Sequence, residues 1–121
     1  MSTILLIEDE AILLELMEHL LATDGHKILS AVDGQSGIAL AREHNPDLII
    51  TDMNMPKMTG WDMIKILRKD AATAAIPILA LTAHESTEDR MAGYDAGVSD
   101  YEQKPVNMVR LKQKIAKLLK S

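Results

Sequence analysis

The chain has 121 residues, 47% of them hydrophobic and 26% charged, and no cysteine. That is enough for one domain with a real core, and it excludes disulfides and thiolate chemistry. A formal net charge of −5 disfavours general attraction to nucleic acid or an anionic membrane.

The elements follow in order. Ile4–Glu8 reads as a strand that follows Met1 almost directly, leaving no signal-peptide pattern; with the missing cysteines, this suits a reducing cytoplasm. A helix follows, with Leu13, Leu16, Met17, Leu20 and Leu21 as its apolar stripe and Glu10 as a first-turn acid favoured by the helix dipole. Lys27–Ala31 is a second strand, and Asp33 caps the next helix. Leu48–Asp52 is a third strand, before a helix striped by Met63, Ile64 and Leu67. Ile78–Thr82 is a fourth, before a weakly striped helix over 85–97 with Ser86 and Asp89 in a loose capping box. A short strand, Tyr101–Lys104, leads to a last helix capped by Asn107 and striped by Met108, Leu111, Ile115 and Leu118.

Three of the strands ("ILLI", "LII", "ILAL") are continuously apolar, the mark of strands buried on both faces. Strand and helix alternate five times, which predicts a doubly wound α/β domain with a five-stranded parallel sheet. No apolar run approaches the ~20 residues needed to cross a bilayer. Ligands of such sheets bind beyond the carboxyl ends of the strands.

Four of the strands end in chemistry. The first ends in Glu8-Asp9, the third in Asp52, the fourth in Thr82 and the fifth in Lys104-Pro105. Crowded carboxylates raise one another's pKa, and a hard divalent cation with a taste for oxygen ligands relieves them. Three carboxylates, one lysine and Mg²⁺ sum to zero charge, a site ready to receive an anion. A carboxylate there can act as a nucleophile towards phosphorus and form an aspartyl phosphate.

With "LLIEDE", "PDLIITDMNMPKMTGWD", "IPILALTA", "DRMAGYDAGVSDY" and "QKP" in that order and spacing, residues 3–121 resemble the receiver domain of bacterial two-component response regulators, close to the single-domain chemotaxis-regulator type. The resemblance implies a flavodoxin-like (βα)5 fold of strand order 2-1-3-4-5, spanning residues 1–121 with no output domain. It implies that Asp52 is the phosphoacceptor, fed by a sensor histidine kinase or phosphotransfer protein. Asp9, Asp52 and the backbone carbonyl of Asn54 would hold Mg²⁺ (or Mn²⁺), with Glu8 acting through a water. Lys104 would pair with a phosphoryl oxygen from a cis Lys104–Pro105 peptide. Thr82 would bind the phosphoryl group and switch together with Tyr101, while Asn54 and His84 would tune its lifetime. The protein would be no enzyme in the ordinary sense but a cytoplasmic signalling protein, its output a contact with a downstream protein target rather than with nucleic acid or membrane.

Departures go with the resemblance. Glu102 and Gln103 stand on an expected edge strand where many relatives are apolar at position 102, and charge there discourages unwanted pairing. Val106 replaces a common phenylalanine. The Met55-Pro56 turn, Gly60 and Gly97 read as backbone geometry, and His19, His26 and His44 as surface residues.

Other functions fit less well. A phosphohydrolase of the aspartyl-phosphate kind needs an acid where Asn54 stands. A nucleotide-binding flavodoxin relative needs a phosphate loop where Glu8-Asp9-Glu10 would repel it. A phosphorylation-independent receiver-like interaction module keeps the fold, but it usually lacks the acids present here. Residues 85–103 carry six acids and one base, and 104–121 six bases and no acid. An isologous homodimer through the 86–120 surface is therefore a further expectation, with Glu88, Asp89 and Glu102 facing Arg110, Lys112 and Lys117 of a two-fold mate.

Overall fold

The computed structural model describes residues 2–55, 58–83, 94 and 96–120. Five parallel strands, β1 (Thr3–Ile7), β2 (Lys27–Ala31), β3 (Leu48–Asp52), β4 (Ile78–Thr82) and β5 (Asp100–Gln103), form one sheet in the order β2-β1-β3-β4-β5. Among the described residues the helices are α1 (Ala11–Ala22), α2 (Gly34–His44), α3 (Gly60–Lys69) and α4 (Met108–Leu119). Most of the helix expected over 85–97 lies outside the described residues, Ser86 and Asp89 included, as does Pro56 of the Met55-Pro56 turn.

Every residue of β3 and β4 is buried, as their unbroken apolar runs require. Alternate side chains feed two cores. Leu5, Ile7, Ile49, Ile78 and Ala80 pack with Ile38 and Ala41 of α2 and Met63, Ile64 and Leu67 of α3. Ile4, Leu6, Leu48, Ile50, Leu79 and Leu81 pack with Leu14, Met17 and Leu21 of α1 and Leu111 and Ile115 of α4. The expected stripe of α1 is therefore out of phase: Leu14 replaces Leu16, which is 52% exposed. Met108 and Leu118 of α4 are only half-buried.

The caps hold the elements in register. Asp33 accepts a hydrogen bond from Ser36 N at 2.8 Å and Asn107 one from Arg110 N at 3.0 Å, as expected, and Thr59 caps α3 in the same way at 3.2 Å. Glu10 is not a first-turn acid. It occupies the N-cap position of α1 with extended backbone and makes no side-chain cap.

Two glycines allow close approaches that a side chain would block. A Cβ at Gly60 would lie 2.8 Å from Met53 Cα and 2.9 Å from Asp52 O, so only glycine lets α3 start directly against the end of β3. Gly97 has φ +114°, and its carbonyl receives Nε and Nη2 of Arg68 at 3.1 and 2.7 Å. The same guanidinium donates through Nη1 to Ile76 O at 2.7 Å, tying the entrance of β4 to that of β5.

Candidate functional site

Parallel strands present their carboxyl ends at one edge, and the chain turns away there with its polar residues in place. Glu8 follows β1, Asp52 ends β3, Thr82 ends β4, and Lys104 follows β5. Glu8, Asp52 and Thr82 are buried, at 1%, 3% and 6% exposure, whereas Asp9 is exposed. One oxygen each from Glu8, Asp9 and Asp52 lie within 4.8 Å of one another. The three acids read from the sequence as one cluster do converge.

Lys104 closes the site. Its Nζ stands 3.1 Å from Glu8 Oε1 and 3.2 Å from Asp52 Oδ2, bridging the two buried carboxylates. Its main-chain N–H donates to Thr82 O at 2.7 Å, and the Lys104–Pro105 peptide is cis, as expected. Burial pulls the ammonium down, but the hydrogen bond to Glu8 and the charges of Asp52 and Glu8 outweigh it and raise its pKa above the ordinary value. Burial also pushes the Glu8 carboxyl up to about 7, against the lowering effect of hydrogen bonds from Glu10 N and Lys104. A partly desolvated acid cluster with one ammonium is short of positive charge, and its donors are all hard oxygens. The residues fit a small divalent cation.

Asp52 Oδ1 accepts from Asn54 N at 3.1 Å, which fixes the carboxylate so that Oδ2 faces Lys104. Asn54 itself is exposed. Tyr101 is buried, one position before Glu102 on β5, with its ring edge-on to Tyr94 at 5.2 Å between centroids. His84 lies outside the described residues.

Two features escaped the sequence reading. The first is Glu102. Read from the sequence as an edge-strand charge that discourages pairing, Glu102 is 1% exposed and points inward. Its Oε1 lies 3.1 Å from Lys114 Nζ and its Oε2 3.9 Å from Arg110 Nη1, both on α4 of the same chain. Lys112 likewise pairs with Asp24 at 3.3 Å. Three of the groups assigned to a two-fold contact are thus engaged within the chain. The second is a groove of about 460 Å³ between α1 and the β5–α4 loop, lined by Ile12, Leu13, Leu16, Pro105 and Val106, by Glu10, and by Lys104 of the acidic site. Ile12 is 85% exposed. The signal for both lay in residues that break pattern: an acid inside a buried strand, and leucine-class residues off the packed stripe.

A family model for the response regulator receiver domain matches residues 4–116. The chain belongs to that family. It is similar to protein PilH of Pseudomonas aeruginosa, 36% identical over 107 residues that cover 88% of each chain. Among solved structures it is similar to the chemotaxis protein CheY4 of Vibrio cholerae, with TM-score 0.93, 30% identity and 98% of each chain covered. It is also similar to the receiver domain of the sensor histidine kinase PA1611 of Pseudomonas aeruginosa, solved with a magnesium ion coordinated in the active-site cleft, with TM-score 0.90, 28% identity, and 99% of this chain and 98% of that one covered. The chain spans about half the length of the transcriptional regulators it matches, 50% for a probable one of Mycobacterium tuberculosis that is 37% identical over 118 residues, 98% of this chain. Membership of this family places the chain in two-component signalling. No helix among the described residues is long and apolar enough to cross a membrane.

Proposed function

We propose that the chain is a cytoplasmic phosphorelay receiver that accepts a phosphoryl group on Asp52 from the phosphohistidine of a sensor kinase or phosphotransfer protein. The observation that carries this reading is the contact of Lys104 Nζ, 3.2 Å from the buried Asp52 carboxylate, inside a cluster whose acids lie within 4.8 Å of one another. Asp9, Asp52 and the backbone carbonyl of Asn54 would hold Mg²⁺ or Mn²⁺, with Glu8 behind a water. When bound, the metal supplies charge neutralisation for the transferring phosphoryl oxygens.

The chain's own residues do the rest. Asp52 Oδ attacks phosphorus, the P–O bond forms as the P–N bond to imidazole breaks, and the imidazole leaves with a proton from solvent. Lys104, already between Glu8 and Asp52, turns to the new phosphoryl oxygens as Asp52 loses its charge. Thr82 hydrogen-bonds the phosphoryl group, and Tyr101 moves with it, so a local charge event alters the surface a target protein reads. Asn54 and His84 set how long the group lasts, as the family resemblance implies. The apolar groove shares Lys104 with the acidic site, so a protein delivering phosphorus to Asp52 comes to rest against Ile12 and Leu16.

Intact-mass spectrometry after incubation with a small-molecule phosphodonor tests this. One Mg²⁺-dependent phosphoryl adduct is expected in the wild type, absent in Asp52→Asn and absent with EDTA. No adduct in folded wild-type protein, from either the small donor or a phosphorylated histidine protein, rejects the reading. Ile12→Glu with Leu16→Glu should slow transfer from the histidine protein and leave the small donor's reaction intact.

A further inference from the structure

Glu102 is a buried carboxylate that the chemistry at Asp52 does not use. It projects from β5 opposite Leu81 of β4, towards the layer that holds Leu111 and Ile115 of α4. A leucine would fill such a position without desolvating a charge. Neither of its oxygens accepts a well-directed hydrogen bond, and its charge is met by Lys114 at 3.1 Å and Arg110 at 3.9 Å. Burying a carboxylate against cations that stay partly exposed is a weak route to stability, because its desolvation offsets much of the attraction. Lys114 also donates to the main-chain carbonyl of Tyr101, so one ammonium grips β5 at two successive residues.

The grip spans a particular loop. Residues 104–107 leave β5 and enter α4, and they include Lys104. On the sheet side the loop is tied by Lys104 N to Thr82 O, on the helix side by the Asn107 cap. Glu102 lies just before the loop, and Arg110 and Lys114 lie just after it, one turn apart on one face of α4. Pulling these together fixes the distance between the loop's two ends.

We infer that Glu102, with Lys114 and Arg110, forms an ionic clasp that positions Lys104 over Asp52. Glu102 is a positioning residue and acts only through Lys104. The inference rests on the phosphoacceptor reading for its kinetic consequence, and on the loop geometry alone for its structural one.

The experiment therefore has two arms. In the first, amide hydrogen exchange compares wild type, Glu102→Gln, and the apolar pair Glu102→Leu with Lys114→Met, which keeps the layer packed. Glu102→Gln should lose protection at the Lys104 amide while β3 keeps its own. Unchanged protection at Lys104 overturns the clasp, whether or not the protein takes up phosphate. In the second, the rate of Asp52 phosphorylation by a small donor at saturating Mg²⁺ is measured for wild type, Glu102→Gln, Lys104→Met, the Glu102→Gln/Lys104→Met double variant and the apolar pair. Glu102→Gln should slow the reaction about tenfold, with Mg²⁺ affinity within about twofold of wild type, and it should add nothing once Lys104 is methionine. Additive losses, or wild-type rate in the apolar pair, would show a merely structural role and overturn the inference. A wild type that never accepts phosphate rejects the function instead, and the exchange arm still decides the clasp.

Discussion

At the residue scale, Glu8 shows how burial sets chemistry. Its folded carboxyl titrates near 7 against an ordinary 4.5, chiefly because it is desolvated. Between those values the metal-free folded protein keeps a proton that the unfolded chain has already released. Folding is therefore favoured by Glu8 protonation below 4.5 and progressively penalised as pH rises towards 7, by on the order of 3 kcal/mol in full. Glutamine has the protonated form's shape and no such penalty. In EDTA, Glu8→Gln should match wild type in urea denaturation near pH 4.5 and become the more stable by a few kcal/mol above pH 7. A gap that stays constant across that window would mean Glu8 is charged throughout. Asp9 sits next to it in sequence yet on the surface, a difference that no reading of "EDE" could foresee, since it depends on where β1 stops.

At the scale of elements, α1 shows what periodicity can and cannot resolve. Its sequence places leucine or methionine at 13, 14, 16, 17, 20 and 21, so two stripes one residue apart are equally apolar, and only packing on the sheet chooses between them. The choice falls on Leu14, Met17 and Leu21. Leu14→Ala should cost about 2–4 kcal/mol in urea denaturation, and Leu16→Ala less than about 0.5 kcal/mol. The reverse order would restore the phase read from the sequence. Elsewhere the sequence was more legible. Strands β3 and β4 lie where their apolar runs place them, because a run buried on both faces has no phase to mistake. The convergence of Glu8, Asp9, Asp52 and Lys104 also follows from the topology once the strands are parallel. Arg68 and Glu102 were illegible for one reason. Their roles depend on partners distant in the chain or across a loop, Gly97 for one and Lys114 for the other, and no local pattern marks such pairs.

At the scale of the whole molecule, the acidic site joins elements distant in sequence, since β1 and β3 supply its acids and β5 its lysine. A cation there would be held by Glu8, Asp9 and Asp52 in the folded chain alone, because the unfolded chain disperses Glu8 from Asp52. Binding is then linked to global stability by RT ln(1 + [L]/Kd), about 2.7 kcal/mol when Mg²⁺ stands at a hundred times its dissociation constant. For a domain of this size that corresponds to a rise in Tm of about 10 °C. Calorimetric scans across a Mg²⁺ series should show Tm climbing with the logarithm of concentration and falling back on addition of EDTA. Asp9→Asn removes a charge from the cluster without disturbing a buried group, so it should flatten the series while leaving the metal-free Tm near or above that of wild type. The gain should also be smaller at pH 6 than at pH 8, because below 7 the metal must displace the proton on Glu8 before the cluster carries its full charge. A Tm indifferent to Mg²⁺ at both pH values would mean that the acids converge without forming a cation site, and the case for phosphoryl transfer at Asp52 would lose its electrostatic basis.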